Sequence, residues 1–433
     1  MLRIHCILLI GLFPVLFTAH LICQDSLSTV VIVKEIKIVG NRSTKNYVIL
    51  REMSTKPGDT LRQESLERDQ NNIYNLGLFN KVDVDYNIKE DSAIVYVVVY
   101  ERWYLIPYPV LGMKYRDPSK LYYGAGFMHQ NFRGRNEKLN TEICFGYDKW
   151  VSLGYSNPKI TYEDDLFLGG IISVQKLHDL SKNFMEYENS NVFFSLTGGK
   201  RFGLYKMLLG YLSYEIWQVS KPELRRTLSS TGRDAFISCG IQYRYDTRNN
   251  REYTTDGTLV SIVASKVGFG ESDVDYSRLA LDLRRFFGFG EGVGLGVRGY
   301  CVFLIGGAIP SYKHVFFGYD ERIRGYFYDI YEGENRMGAN LELRYPIFLP
   351  RYLDLDFIKI PEFKKLRFGL YVGIFADVGK IWCRNESVRN LPWYSGYGAG
   401  LQFLLPYAFT IRLEAALNNF GKLQGLIDFD TSF

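Results

Sequence analysis

The sequence predicts an N-terminal α/β domain followed by an all-β transmembrane barrel of about 16 antiparallel strands. Helical periodicity is confined to residues 30–101, whereas residues 103–433 alternate apolar and polar side chains with a period of two. The first 23 residues have the features of a secretory signal. Together these observations indicate a protein that is exported and then crosses a membrane with strands.

Residues 1–23 are the predicted signal peptide. Arg3 supplies an early positive charge, an apolar core runs from Ile7 to Phe17, and polar sequence begins at Gln24. The segment is short for a membrane-spanning helix, and no later run of about 18 apolar residues follows it. We therefore expect cleavage after Cys23.

Composition excludes several classes of protein. The net charge of +5 is small for 433 residues and gives no sign of nucleic-acid binding. Histidines are few and far apart after the signal, and the remaining cysteines are scattered without a CxxC pair. We therefore expect no metal site, no cofactor and no dense disulfide framework. We also expect no enzyme activity, because no nucleophile and base lie at a recognisable spacing.

The α/β domain is predicted to have the order strand, helix, helix, strand, strand. The predicted elements are a strand at Val31–Val39, a helix at about Thr44–Met53, a second helix that ends at Gly77, and strands at Lys81–Ile88 and Ala93–Glu101. Thr60 and Gln63 match a capping box, which predicts that Thr60 caps the second helix.

The remaining region is predicted to be one barrel. A soluble sandwich alternates in the same way, but a region of about 330 residues is large for a single sandwich. At about 20 residues for each strand and turn, the region holds roughly 16 strands, which gives a wide lumen. The first strand is predicted within Tyr104–Tyr115 and the last at about Leu423–Phe433. No role is predicted for the segment 348–366.

Residues 30–101 resemble a POTRA domain. The resemblance rests on the first-strand segment Ile36–Asn41, the turn Pro57-Gly58-Asp59, and the segment Leu76–Val82. It implies a domain that lies in the periplasm and presents a sheet edge to extended peptides. We expect a single such unit after the signal.

The barrel resembles the C-terminal domain of the BamA/TamA outer-membrane superfamily, which includes surface antigen D15-like proteins. Four motifs carry this resemblance in order and spacing: Tyr245–Asn249 with Thr255-Asp256-Gly257, the segment Phe317–Tyr326, the strand Gly338–Ile347, and Phe375–Gly379. In that family the loop containing Arg-Gly-Tyr folds back into the lumen, where its arginine contacts acidic residues of the wall.

The resemblance implies a latch formed by Arg324, Gly325, Tyr326, Asp377 and Glu342. Arg324 would meet Asp377, with Glu342 as a second acceptor, and strand alternation agrees because both carboxylates lie on polar faces. Gly325 permits a tight turn, and Tyr326 can pack while it hydrogen-bonds. From the loop sequence alone, a solvated surface charge is the simpler interpretation of Arg324.

The family resemblance implies assistance in the insertion, assembly or translocation of outer-membrane polypeptides. It also implies a weakly paired seam between the first and last strands, and Phe429 and Phe433 fit a C-terminal assembly signal. The expected partners are the outer-membrane bilayer, unfolded outer-membrane or secreted polypeptides, and periplasmic chaperones or assembly lipoproteins. A two-partner-type secretion pore for one dedicated substrate stays open as an alternative, as does a passive channel or surface antigen.

Overall fold

The computed structural model describes residues 30–429 except for 115–116, 162, 179–186, 222–225, 270–272 and 319–320. The predicted signal peptide and Phe433 lie outside the described residues. Within the described ranges, none of the helices is long and apolar enough to span a membrane.

The N-terminal domain is a three-stranded sheet covered by two helices. Its elements are β1 (Ile32–Val39), α1 (Asn46–Leu50), α2 (Gln63–Tyr74), β2 (Phe79–Lys89) and β3 (Ser92–Glu101). The central strand β3 pairs with β1 in parallel and with β2 in antiparallel orientation. Alternate β3 residues, Val95 and Val97 among them, are fully buried against the helices. The order of elements is the predicted one.

The predicted helix cap at Thr60 is wrong. Helix α2 begins at Gln63, Arg62 occupies the N-cap position, and no side chain caps the helix. Thr60 instead forms an antiparallel bridge with Ile32, and the Leu61 N–H donates to the carbonyl of Val31 at 2.8 Å. Sheet pairing takes the backbone that the capping box would need, so this segment covers the outer edge of β1.

Sixteen further strands form one antiparallel sheet, as predicted, in which strands adjacent in the sequence are adjacent in the sheet. They are β4 (Leu105–Met113), β5 (Leu121–Phe132), β6 (Glu137–Gly146), β7 (Lys149–Asn157), β8 (Leu166–His178), β9 (Glu188–Phe202), β10 (Lys206–Val219), β11 (Arg233–Asp246), β12 (Gly257–Val267), β13 (Tyr276–Gly288), β14 (Gly294–Gly306), β17 (Asn335–Asp354), β18 (Lys365–Trp382), β19 (Tyr394–Leu405), β20 (Phe409–Asn418) and β21 (Leu423–Asp428). A short hairpin, β15 (Val315–Phe317) with β16 (Tyr331–Gly333), lies in the loop between β14 and β17.

The sheet turns its apolar face outward and its polar face inward. On β11, Ile237 and Ile241 are 43% and 60% exposed, whereas Ser238 and Asp246 on the opposite face are buried. This arrangement is the reverse of a soluble sandwich and matches a barrel in lipid, where apolar side chains face the acyl chains.

The sheet is not closed. Strand β4 pairs with β5 and strand β21 pairs with β20, and the described residues form no ladder between β4 and β21. We call this gap the seam. The last strand is also short, because its described ladder covers only Leu423–Asp428.

The N-terminal domain docks on one rim of the barrel. Arg201 on β9 donates to both carboxylate oxygens of Glu52 at 2.6 Å, and Asn131 donates to Thr44 at 2.9 Å. The hairpin of β17 and β18 projects beyond the rim, and its Phe363 ring stacks on Trp103 at 6.2 Å. The segment 348–366, for which the sequence predicted no role, therefore forms part of this junction.

Candidate functional site at the inward loop and the seam

The loop between β14 and β17, of which the structure describes residues 307–318 and 321–334, folds into the lumen of the barrel. We call it the inward loop. Ile323, Arg324 and Phe327 are all at least 96% buried although they belong to a connection between strands. The loop is bound to β14 through Glu321, because the guanidinium of Arg298 on β14 donates to both carboxylate oxygens of Glu321 at 2.9 and 3.0 Å.

Arg324 is bound to the wall by several hydrogen bonds. Its Nε and Nη2 atoms donate to the two oxygens of Asp377 at 2.7 Å each, and its backbone N–H donates to Oδ2 of Asp377 at 3.0 Å. Its Nη1 atom donates to Glu342. The guanidinium also lies 3.7 Å from the ring centroid of Phe375. The structure thus brings Arg324, Asp377 and Glu342 together.

Three arginines and three carboxylates meet at this point. We call them the arginine cluster: Arg324, Arg344, Arg412, Glu342, Asp377 and Glu414. Glu414 on β20 lies 3.6 Å from Arg324 and 3.3 Å from Arg412, and Nε of Arg344 donates to Glu342 at 2.9 Å. Equal numbers of opposite charges make this buried set neutral, which offsets part of its desolvation cost.

Sequence reasoning did not include Glu414, Arg344 or Arg412 in the predicted latch. Alternation places each of them on the polar face of its strand, which is the signal that could have found them. Nothing in the local sequence indicates that β20 lies opposite the tip of the loop. Among the described residues, no three His, Cys, Asp or Glu side chains are grouped so as to hold a metal ion.

The loop backbone lies directly against the wall at Gly325 and Gly396. Gly325 has a φ of +98°, which an L side chain rarely adopts, and its carbonyl accepts from Nδ2 of Asn418 at 3.1 Å. A Cβ atom on Gly396 of β19 would lie 1.9 Å from the carbonyl oxygen of Arg324. The approach of the loop therefore requires glycine on the wall as well as in the loop.

Tyr326 anchors the turn from the side opposite Arg324. Its ring is buried and meets the rings of Tyr394 and Tyr331 edge-on at 5.5 and 5.9 Å, and its hydroxyl donates to Asn419. An apolar ring with a satisfied hydroxyl suits this position between lumen wall and loop. All five predicted latch residues therefore lie in one connected set of contacts.

The inward loop also contacts the last strand. The Phe327 N–H donates to Oε1 of Gln424 at 2.7 Å, and Nη1 of Arg322 donates to Asp428 at 3.0 Å. The hydroxyl of Tyr328 is 3.5 Å from the carbonyl of Gly425, which is a weak contact. The loop thus supports the inner face of β21. Within the described residues, the edge of β21 that faces the seam has no ladder.

Two prolines alter the β4 edge of the seam. The Gln130 N–H donates to the carbonyl of Tyr104 at 2.9 Å. In an antiparallel pair this sets the backbone N–H and C=O groups of even-numbered β4 residues toward β5, and those of odd-numbered residues toward the seam. Pro107 and Pro109 have odd numbers, so their missing N–H groups face the seam. The β4 edge therefore offers carbonyls but lacks two consecutive donors.

Phe429, predicted as part of a C-terminal assembly signal, follows β21 at the outer surface. Its side chain is 59% exposed and stacks on Phe409 of β20 at 5.9 Å. Phe433, its predicted companion, is outside the described residues. The assembly-signal role of both residues stays a prediction.

The family model described as the Omp85 superfamily domain matches residues 131–425. The chain belongs to the Omp85 superfamily. A POTRA model, described as surface antigen variable number repeat, matches residues 31–102 of this Omp85 protein. The two matches cover the N-terminal domain, the inward loop, strands β6 to β20 and the first residues of β21.

Two curated relatives are assembly factors by name. The Omp85 chain is 23% identical over 309 residues to the outer membrane protein assembly factor BamA of Nitratidesulfovibrio vulgaris, covering 68% of this chain and 38% of that protein. It is 26% identical over 163 residues to a putative outer membrane protein assembly factor of Treponema pallidum, covering 36% and 18%. The chain thus spans well under half the length of these relatives.

Solved structures share the fold at low identity. BamA from Haemophilus ducreyi lacking POTRA domains 1–3 is 17% identical with a TM-score of 0.56, over 92% of this Omp85 chain and 84% of that chain. CdiB from Escherichia coli is 11% identical with a TM-score of 0.59, over 93% and 76%. CdiB from Acinetobacter baumannii is 12% identical with a TM-score of 0.51, over 93% and 73%.

Family, domain order and fold agree on location. This Omp85 protein is a BamA-like protein of the outer membrane, and its POTRA domain lies in the periplasm. The rim on which that domain docks is therefore the periplasmic rim, and the inward loop enters the lumen from the opposite side.

Proposed function

We propose that this protein assists the insertion and assembly of outer-membrane β-barrel polypeptides, and that clients pair with the strand edges at the seam. The observation that carries the proposal is the open sheet between β4 and β21, beside which the inward loop holds the last strand in place. An unpaired edge in a bilayer leaves backbone groups without partners, so another strand gains hydrogen bonds by adding to it.

The two edges differ in how they can receive a client. On β21, the Asn418 N–H donates to the carbonyl of Lys422. The backbone N–H and C=O groups of Leu423, Gly425 and Ile427 therefore point toward the seam. Each of these residues has both a donor and an acceptor, whereas β4 lacks the donors of two prolines. We infer that β21 is the stronger template and that β4 keeps the seam from closing.

The POTRA domain offers a second place for an extended peptide. The outer edge of β1 is covered by residues 58–61, because the Gly58 N–H donates to Val33 at 2.8 Å and the Val33 N–H donates to Asp59 at 2.9 Å. Strand β2 forms the other edge of the sheet. An unfolded client arriving from the periplasm can add to β2 as a further strand before it reaches the barrel.

A secretion pore for one dedicated polypeptide is the second candidate, because the fold is shared with CdiB as well as with BamA. In this candidate the inward loop would leave the lumen to let a chain pass. A passive channel or surface antigen fits less well, because the arginine cluster binds the loop inside the lumen.

Depletion of the protein separates the candidates. An assembly function predicts loss of many outer-membrane β-barrel proteins, measured by quantitative proteomics of outer-membrane fractions. Loss of a single secreted protein with an unchanged outer-membrane proteome would support the secretion pore and contradict the proposal. Ion conductance by the purified protein with no effect on any client would support the passive channel and contradict it as well.

A further inference from the structure

A cavity of about 310 Å³ lies where the POTRA domain meets the barrel. Its walls come from strands β6 to β11 and their turns, from helix α2, and from the residues that directly follow α1 and α2. Neither the seam nor the arginine cluster uses these residues. Seven Lys or Arg residues and three Asp or Glu residues line it. The cavity thus has an excess of positive charge that the proposed assembly mechanism leaves unexplained.

The carboxylates of the cavity are already engaged. Glu52 accepts two hydrogen bonds of 2.6 Å from Arg201, and Asp165 accepts one of 2.8 Å from Lys159. Asp246 is shared by three guanidinium groups at 2.8, 2.9 and 3.2 Å: those of Arg244, Arg248 and Arg251. One carboxylate cannot neutralise three arginines, so positive charge is left over beside it.

The surplus cations are accessible from the cavity. The side chains of Arg244 and Arg251 are 40% and 45% exposed although both contact Asp246. Lys138 on β6 also lines the cavity and is exposed. The guanidinium groups of Arg244 and Arg251 therefore keep N–H donors that can pair with a further carboxylate in the two-pronged geometry that arginine favours.

Two uncharged atoms in the lining of the cavity, one from the POTRA domain and one from the barrel, point to the kind of ligand. The Nδ2 atom of Asn72 and the Oδ1 atom of Asn136 are buried, and neither has a hydrogen-bond partner among the described residues. Both residues line the cavity, and Asn136 is 92% buried. One atom is a donor and the other an acceptor, so a single ligand that satisfies both has to accept and donate. A peptide group does so, whereas a phosphate group mainly accepts.

We propose that this cavity binds an acidic segment of a client polypeptide at the periplasmic rim of the barrel. Its carboxylates pair with Arg244, Arg251 and Lys138, and one of its peptide groups satisfies Asn72 and Asn136. The inference deepens the proposed function and rests on it for the source of the peptide. The binding site itself can be tested without any client-assembly assay.

The test is a fluorescence-anisotropy titration of the purified full-length protein in detergent. The probes are a short labelled peptide of alternating Asp and Gly and a matched peptide in which Asn replaces Asp. We expect the Asp peptide to bind at least about tenfold more tightly, since charge-assisted hydrogen bonds are lost with Asn. The double variant Arg244→Gln/Arg251→Gln should weaken binding of the Asp peptide by about tenfold or more.

A matched control is Lys149→Gln, which removes one positive charge from the opposite end of the β6–β7 hairpin. It should bind the Asp peptide as the unaltered protein does. Asn72→Leu, inside helix α2, removes the unpaired donor without a change of charge, and should weaken peptide binding while the protein keeps its heat-modifiable mobility on gels. Equal binding of the Asp and Asn peptides, or unchanged binding by the double variant, would overturn the proposal.

Inorganic pyrophosphate distinguishes the two anion chemistries. If pyrophosphate binds at this cavity and the Asp peptide does not, the cavity is a phosphate site and the peptide assignment is wrong. If the Asp peptide binds but the protein accelerates no client folding in lipid vesicles, the proposed function fails and the cavity assignment is supported. If client folding proceeds without any peptide binding, only the cavity assignment fails.

Discussion

Arg324 is a buried cation whose charge is compensated by carboxylate partners. Its side chain is 4% exposed, and those of Asp377 and Glu414 are 1% and 0% exposed. Assembling such charges gains little net free energy, but removing one of them leaves the others buried without compensation. The effect of a single substitution is therefore expected to be larger than the net contribution of the cluster.

Replacing Arg324 by Ala should release the inward loop. It leaves the carboxylates of Asp377, Glu342 and Glu414 close together, and breaking a buried ion pair of this kind costs about 3–5 kcal/mol. We expect a lower temperature for loss of the heat-modifiable band on gels and a lower urea midpoint by tryptophan fluorescence. The control is Arg285→Ala on the exposed surface of β13. Equal effects of the two substitutions would contradict the role given to Arg324.

Gly396→Ala tests the close approach of the loop without touching a charge. The added methyl group would overlap the carbonyl oxygen of Arg324, so the loop must move away from β19. We expect faster protease cleavage of the inward loop in the folded protein. Gly299→Ala on β14 is the matched control, because a Cβ atom there has no atom within 4 Å. Cleavage at the same rate in both variants would show that the loop does not lie against Gly396.

At the scale of the elements, the seam depends on the composition of its two strands. Prolines are tolerated at strand edges because the missing N–H group then faces away from the ladder. In β4 they occupy two consecutive positions of the five that face the seam, so pairing with β21 would lack two hydrogen bonds in a row. The open seam therefore agrees with the sequence of β4, and the ladder of β21 within the described residues is short.

The double variant Pro107→Ala/Pro109→Ala should close the seam. It restores two N–H donors on the β4 edge, so β4 and β21 can form a ladder. We expect slower amide hydrogen exchange in β21 and slower folding of client barrels in lipid vesicles that contain the variant. Leu111→Ala changes a seam-facing residue of the same strand but keeps its N–H group, and should leave both rates unaltered. Faster client folding in the proline double variant would contradict the proposed role of the seam.

The sequence predicted strands and helices well where a single periodicity ran through a whole segment. The length of the region, at about 20 residues for each strand and turn, predicted the number of strands. Period-two alternation predicted the inward direction of Asp377 and Glu342, because a strand fixes the side of each residue. Alternation says nothing about which strand lies opposite a loop, so Glu414 and Arg412 were missed. Thr60 failed as a helix cap because pairing with Ile32 is a contact between distant segments, which a local motif does not report.

At the scale of the whole molecule, polar contacts connect the POTRA domain to the arginine cluster through the turn between β11 and β12. The hydroxyl of Tyr74 on α2 donates to Glu252 of this turn at 2.7 Å, and burial, followed by the Glu252 charge, raises the pKa of Tyr74 to about 12. Two residues on, the carbonyl of Thr254 accepts from Arg344 at 2.7 Å, and Arg344 in turn donates to Glu342. A movement of the POTRA domain therefore has a physical route to the inward loop.

Glu252→Gln tests the docking of the POTRA domain. The substitution removes the charge that pairs with Arg102, whose side chain is 4% exposed, and so leaves a buried guanidinium without a charged partner. We expect a broader distribution of distances between spin labels on the POTRA domain and on the barrel. Glu64→Gln removes the same charge from the exposed start of α2 and should leave the distribution narrow. A narrow distribution in both variants would show that Glu252 does not hold the domain.

The central claim is that client strands pair at the seam, and site-specific photocrosslinking tests it most directly. A photoreactive amino acid is placed at Gly425 of β21, and at Ile374 of β18 as an outward-facing control distant from the seam. The account predicts crosslinks from position 425 to newly made outer-membrane β-barrel proteins and none from position 374. Crosslinks at equal yield from both positions, or none from position 425, would contradict it.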